Sequence, residues 1–175
     1  MKNNNQGQIL VESIVAVSIG VLAITGVLSL LTSSLGVNRD VAQRLTATYL
    51  ASEGVEITKS LIDKNYVRGE AWNAGLSDGS YEFVYNVSDG ASSKIGGEES
   101  TRKLYFNLSN GVYNYDNSEV ETNFIRTVKL ANVSIGGEIA RIEVSSNVKW
   151  IERGGSNKEI TIEDHFYRWR PNLSE

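Results

Sequence analysis

The sequence predicts an α+β fold, a long N-terminal α-helix packed on an antiparallel β-sheet head. Three observations carry that expectation. Residues 8–35 hold 17 hydrophobic residues of 28, no aromatic residue and one charge, Glu12. Residues 36–175 have ordinary polarity, with 36 charges, and all 15 aromatic residues lie at or after Tyr49. From Asn65 onward the apolar residues recur with a period of two instead of the helical period. A length of 175 residues allows one globular domain beyond such a helix.

The helix comes first. From Ser13 to Asn38 the chain runs 26 residues without a charge, roughly 39 Å of helix. A bilayer hydrocarbon core is about 30 Å thick, so the segment is long enough to span one. Ser18, Gly20, Thr25, Gly26 and Ser29 interrupt the Val/Ile/Leu/Ala run, and small residues let helices approach closely in lipid. Gly20 and Gly26 are also flexible points, since glycine costs about 1 kcal/mol against alanine in an aqueous helix. A cleavable secretory signal peptide fits poorly: its apolar stretch is roughly 7–15 residues and follows a basic leader. Here the stretch is longer, and a carboxylate stands at its leading edge. A charge inside a membrane segment points to function.

After Leu35 the pattern becomes amphipathic, with Val41, Leu45, Thr48, Val55 and Ile62 as the expected apolar stripe. The helix is expected to run from Gln8 to about Ile62, 55 residues and roughly 82 Å if continuous, with Gly36 and Gly54 weakening that continuity. The organisation is therefore a polar segment 1–7, an apolar helix 8–35, an amphipathic continuation 36–64 and a β-rich head 65–175.

Within the head, Ser80–Val87 and Thr101–Leu108 alternate as strands. Asn110-Gly111 is a strong two-residue turn signal that would pair Leu108 with Tyr113 and Phe106 with Tyr115. Phe124–Leu130 follows, with Phe124, Val128 and Leu130 on one side, and then a strand carrying Ala140, Ile142, Val144, Val148 and Trp150. Gly136-Gly137 between these two invites another two-residue turn, but that register would set Leu130 opposite Glu143 and Val128 opposite Ser145. An odd-length loop or a bulge is therefore expected. An odd-length loop around Gly154-Gly155 would set Trp150 opposite Ile160 and Val148 opposite Ile162, with Glu159–Arg168 as the last strand. No segment after Ile62 is long enough for crossover helices, so the connections should be antiparallel.

Composition excludes several chemistries. With no cysteine there are no disulfides, thiolate metal sites or cysteine nucleophiles. One histidine, His165, leaves no credible Ser/His/Asp set, and its neighbours mark it as a surface or cross-strand residue. Seventeen basic against 21 acidic residues give no basic face for nucleic acid. No phosphate-binding glycine loop occurs. Asp116, Glu119 and Glu121 lack the ordered spacing of a calcium loop and read as a solvated turn. No catalytic residue, metal site or cofactor is expected, and the chain reads as a non-enzyme. The tyrosines and tryptophans fit strand packing and a sugar- or partner-binding surface equally well.

Gly7-Gln8-Ile9-Leu10-Val11-Glu12-Ser13-Ile14-Val15-Ala16-Val17 resembles the class III signal of type IV pilins and pseudopilins. The resemblance implies that a prepilin peptidase cuts after Gly7, that Gln8 becomes the N-methylated first residue, and that Glu12 directs subunit assembly. Residues 1–7 would then be the leader. Gln8 departs from the usual phenylalanine, and no proline interrupts the apolar helix, so any melting on assembly would use Gly20 or Gly26. The Leu104–Tyr115 hairpin, Phe124-Ile125-Arg126-Thr127-Val128 and Val148-Lys149-Trp150 are similar to strings in head domains of some minor-pilin-like proteins. The implied partners are other pilin subunits through their helices, the peptidase/methyltransferase, an assembly platform with a separate motor ATPase, and membrane lipid before assembly. The implied location is the bacterial cytoplasmic membrane, then a surface or periplasmic filament of a pilus or a type II secretion-like pseudopilus. The alternative from the residues alone is a permanently anchored single-span protein with an extracytoplasmic binding domain.

Overall fold

With no proline before residue 171, nothing in residues 6–68 forces a break, although the Val, Ile, Ser, Thr and Gly content makes the segment an average helix former at best. The computed structural model describes residues 6–84, 92–152 and 154–169, and in it helix α1 runs unbroken over Gln6–Arg68. It is six residues longer at its C-terminal end than the sequence pattern indicated. Residues 1–5 of the expected leader and residues 85–87 of the expected Ser80–Val87 strand lie outside the described residues. The chain divides into two compact units, Met1–Gln43 and Arg44–Glu175.

In the first unit α1 is long and apolar enough to cross a membrane, and its most apolar stretch is wholly exposed in the isolated chain. Four of its hydroxyls bond back to the helix: Ser13 Oγ donates to Ile9 O at 2.9 Å, Ser18 Oγ to Ile14 O at 2.8 Å, Thr25 Oγ1 to Leu22 O at 3.0 Å, and Thr32 Oγ1 to Leu28 O at 2.9 Å. A hydroxyl bonded back to the helix's own carbonyl makes less demand on a hydrocarbon surround.

The second unit is an α+β head. Strands β1 (Gly79–Phe83), β2 (Ser92–Lys94), β6 (Ile125–Ile135), β7 (Glu138–Ile151) and β8 (Asn157–Tyr167) form an antiparallel sheet ordered β2-β1-β6-β7-β8. Three two-residue strands, β3 (Tyr105–Phe106), β4 (Tyr113–Asn114) and β5 (Val120–Glu121), form a separate small sheet ordered β4-β3-β5, inserted in the chain between β2 and β6. The pattern of alternation predicted β6, β7 and β8. The expected strand Thr101–Leu108 and its hairpin at Asn110-Gly111 correspond to the β3–β4 pair of the small sheet, shortened to two residues each, whereas β5 was not expected, because two residues are too few to show a period.

The head residues of α1 bury Ala47, Leu50, Ala51, Val55, Thr58, Ile62 and Tyr66. That stripe includes Val55 and Ile62 of the expected one, but its first members differ: Val41 and Leu45 are 57% and 54% exposed, and Ala47, Leu50 and Ala51 are buried instead. Two apolar clusters lie between helix and sheet. Val55, Ile62, Tyr66, Phe83, Val128, Leu130, Ile142 and Val144 belong to one, and Ala47, Leu50, Leu104, Phe124, Val148 and Trp150 to the other. Gly54 makes the close approach possible. A Cβ there would collide with Ser146 Oγ and sit 2.9 Å from Val128 Cγ2. The glycine that weakened the helix in sequence terms is where the helix meets the sheet.

The β6–β7 hairpin resolves the register conflict as expected. Ile135 pairs with Glu138 across Gly136-Gly137, whose φ values of 64° and 90° fit a type I′ turn. A bulge then follows: Ser134 pairs with Ile139 but Val133 with Arg141, leaving Ala140 as the extra residue. That one residue restores Leu130 opposite Val144 and Val128 opposite Ser146.

Two other registers differ from expectation by two residues each, which keeps every side chain on its expected face. Phe106 pairs with Tyr113, not Tyr115. The cause is Asn107, whose Oδ1 accepts the Ser109 and Asn110 N–H groups at 2.8 and 3.2 Å and so opens a six-residue loop. Val148 pairs with Ile160 and Trp150 with Lys158, not Ile162 and Ile160. That loop is odd-length, but it closes early, with Glu152 N donating to Ser156 O at 2.9 Å.

Candidate functional site

The site residues that the resemblance implies all lie on α1 within the first unit. Gly7, Gln8, Glu12 and Gly26 are exposed, and Gly20 is half-buried. A Cβ at Gly7, Gly20 or Gly26 would meet nothing within 4 Å, and the helix passes through all three without a break. Glu12 is the one ionisable side chain between Gly7 and Asn38, and it stands among exposed Ile9, Leu10, Val11, Ile14 and Val15. A carboxylate in that position has two physical outcomes: reach an aqueous boundary, or pair with a cation brought by another chain.

In the head, the other candidates disperse. His165 is exposed on β8, opposite Glu143, and its backbone N–H donates to Asp164 Oδ1 at 2.7 Å. Asp116, Glu119 and Glu121 have separate partners. Asp116 Oδ1 accepts Ser118 N–H and Oγ–H at 3.0 and 2.8 Å, which holds its carboxyl below the usual carboxylate range. Glu119 accepts from Asn107 Nδ2 at 2.6 Å, and Glu121 pairs with Lys103 at 2.6 Å. Among the described residues, no three His, Cys, Asp or Glu side chains converge as a metal site would require.

Sequence reasoning missed two polar clusters. Arg126 is fully buried, donating from Nη1 to Leu50 O at 3.0 Å and to Glu53 Oε2 at 2.8 Å, and from Nη2 to Phe83 O at 2.6 Å. It joins α1, β1 and β6 through one guanidinium. The signal was present, since Arg126 occupies an inward position between Phe124 and Val128 on an otherwise apolar face. Glu82, 4% exposed, accepts from Ser100 Oγ at 2.6 Å and Arg102 Nη1 at 2.7 Å, tying the segment before β3 onto β1.

Compared with models of protein families, with curated proteins and with solved structures, the chain matches none.

Proposed function

We propose that the chain is a structural subunit, a minor one, of a type IV pilus or a type II secretion-like pseudopilus. In this reading it is made as a membrane precursor, cleaved after Gly7, methylated at Gln8 and assembled through its N-terminal helix. The observation that carries it is Glu12: a lone exposed carboxylate on an apolar helix, five residues after Gly7. Cleavage after Gly7 would create an ammonium at Gln8. The carboxylate of a neighbouring subunit, at about the same depth, would pair with it. Correct register removes two unpaired charges from an apolar surround, whereas an offset subunit leaves both. Breaking one half of such a pair costs roughly 3–5 kcal/mol, so the pair acts as a register device. The fully exposed apolar stretch supports the same reading, because lipid or neighbouring helices must cover it.

The test is Glu12→Ala beside Glu12→Asp in cells that assemble the filament. Membrane insertion should be normal in both. Incorporation should fail in the first and be partly kept in the second. Equal incorporation of Glu12→Ala and the parent chain would defeat the register role given to Glu12.

A further inference from the structure

We propose that the inserted small sheet carries a binding cleft for a neutral saccharide, formed by Tyr105, Tyr115, Thr101, Asp116 and Asn117. The proposal goes beyond filament assembly and does not depend on it. The cleft has a volume of about 530 Å³, within the roughly 300–1,000 Å³ of small-ligand sites. It lies on a module added to the main sheet, and binding groups on a rigid scaffold concentrate in such additions.

Its chemistry suits an amphipathic, uncharged ligand. Tyr105 and Tyr115 are half-buried at its wall; Tyr115 packs on the core and lies under Arg102, so Tyr105 is the ring that would seat the C–H face of a sugar. Tyr115 is fixed in place: its hydroxyl donates to Arg126 O at 3.2 Å, and the Arg102 guanidinium lies 4.9 Å from its ring centroid. Beside the rings stand exposed polar groups. Asp116 uses only Oδ1, and among the described residues the Asn117 amide and the Thr101 hydroxyl have no hydrogen-bond partner. A carboxylate oxygen and a neighbouring amide together match two adjacent hydroxyls.

The cations of the cleft are already matched. Arg102 pairs with Glu82 at 2.7 Å and Lys103 with Glu121 at 2.6 Å, so with Asp116 there is no excess positive charge to attract an anion. That balance favours a neutral sugar over an acidic one.

The test uses the full chain in phosphatidylcholine nanodiscs, which avoids sugar-headed detergents. Saturation-transfer NMR would be run against the methyl glycosides of glucose, galactose and mannose, against N-acetylglucosamine, and against glucuronic acid. At least one neutral sugar should give transfer, with the strongest signals on its C–H face. Asn117→Ala and Thr101→Val, both at exposed positions and expected to fold, should each weaken it by roughly three- to tenfold, the cost of one hydrogen bond. Three outcomes would overturn the proposal: no transfer to any neutral sugar, stronger binding of glucuronic acid, or binding unchanged in both variants.

Discussion

Arg126 Nη1 donates to Glu53 Oε2 at 2.8 Å across 73 residues of chain, with the arginine fully buried and the glutamate side chain 28% exposed. The two ends of this pair are therefore not equivalent. Removing the glutamate strands a charge in the core, whereas removing the arginine leaves a carboxylate that water can reach. Glu53→Leu should cost about 3–5 kcal/mol. Arg126→Met should cost less, and the double variant should be more stable than Glu53→Leu alone. Denaturant unfolding of the full chain in a zwitterionic detergent, followed by tryptophan fluorescence, measures all three. If Arg126→Met is the more damaging change, the guanidinium acts chiefly through Leu50 O and Phe83 O.

Gly54 and Gly26 should respond in opposite directions. Alanine at 54 meets Ser146 and Val128 and forces helix and sheet apart, a loss of roughly 1–3 kcal/mol. Alanine at 26 meets open space and should leave head stability unchanged while strengthening the helix by about 1 kcal/mol. Thermal melting separates the two. A Gly54→Ala variant as stable as the parent would mean that the helix–sheet spacing is softer than the contact implies.

Ala140 is the extra residue of the β6–β7 bulge, so deleting it should be tolerated. The shortened strand still sets Leu130 opposite Val144, at a cost of about 1 kcal/mol for the lost bond from Arg168 N to Ala140 O. Deleting Ser145 should unfold the head. It puts half of β7 out of phase, turning either Ile142 and Val144 or Val148 and Trp150 to the outer face. An amide NMR fingerprint of each variant decides the matter, and dispersed spectra from the Ser145 deletion would contradict the register argument.

This hairpin shows how much was legible in sequence. Its turn signal and its apolar pairing are both local, and their disagreement predicted an irregularity before any coordinates. The Asn110-Gly111 and Gly154-Gly155 loops were misjudged by two residues because side-chain bonding at Asn107 and early closure at Glu152 are not visible in a period. The alternation still placed the right faces inward. Arg126 was visible as an inward charge, but its partners on α1 and β1 are set by tertiary packing. The β3–β4 hairpin of the small sheet was legible from the Thr101–Leu108 alternation and Asn110-Gly111, but the cleft beside it was foreshadowed only by the tyrosines, because it forms from segments that no period relates. Glu12 stood out fully, since one charge in an apolar run needs no fold to be noticed.

Acid should weaken the head in part through Asp78. Its Oδ1 accepts from Asn132 N at 2.7 Å and Asn132 Nδ2 at 2.8 Å, and these bonds hold its carboxyl below the ordinary 3.8. A lowered folded-state value contributes stability that is complete above the unfolded value and lost as pH falls through the folded one. Melting temperatures of the parent should therefore drop below about pH 4 more steeply than those of Asp78→Ala. The group is exposed, so the difference should be small. Parallel curves would show that the Asp78–Asn132 bonds do not persist in solution.

The measurement closest to the central claim is the intact mass of the native protein, with N-terminal sequencing, from cells with an active prepilin peptidase. The account predicts loss of residues 1–7 and one added methyl group on Gln8. A chain still beginning at Met1 would contradict it.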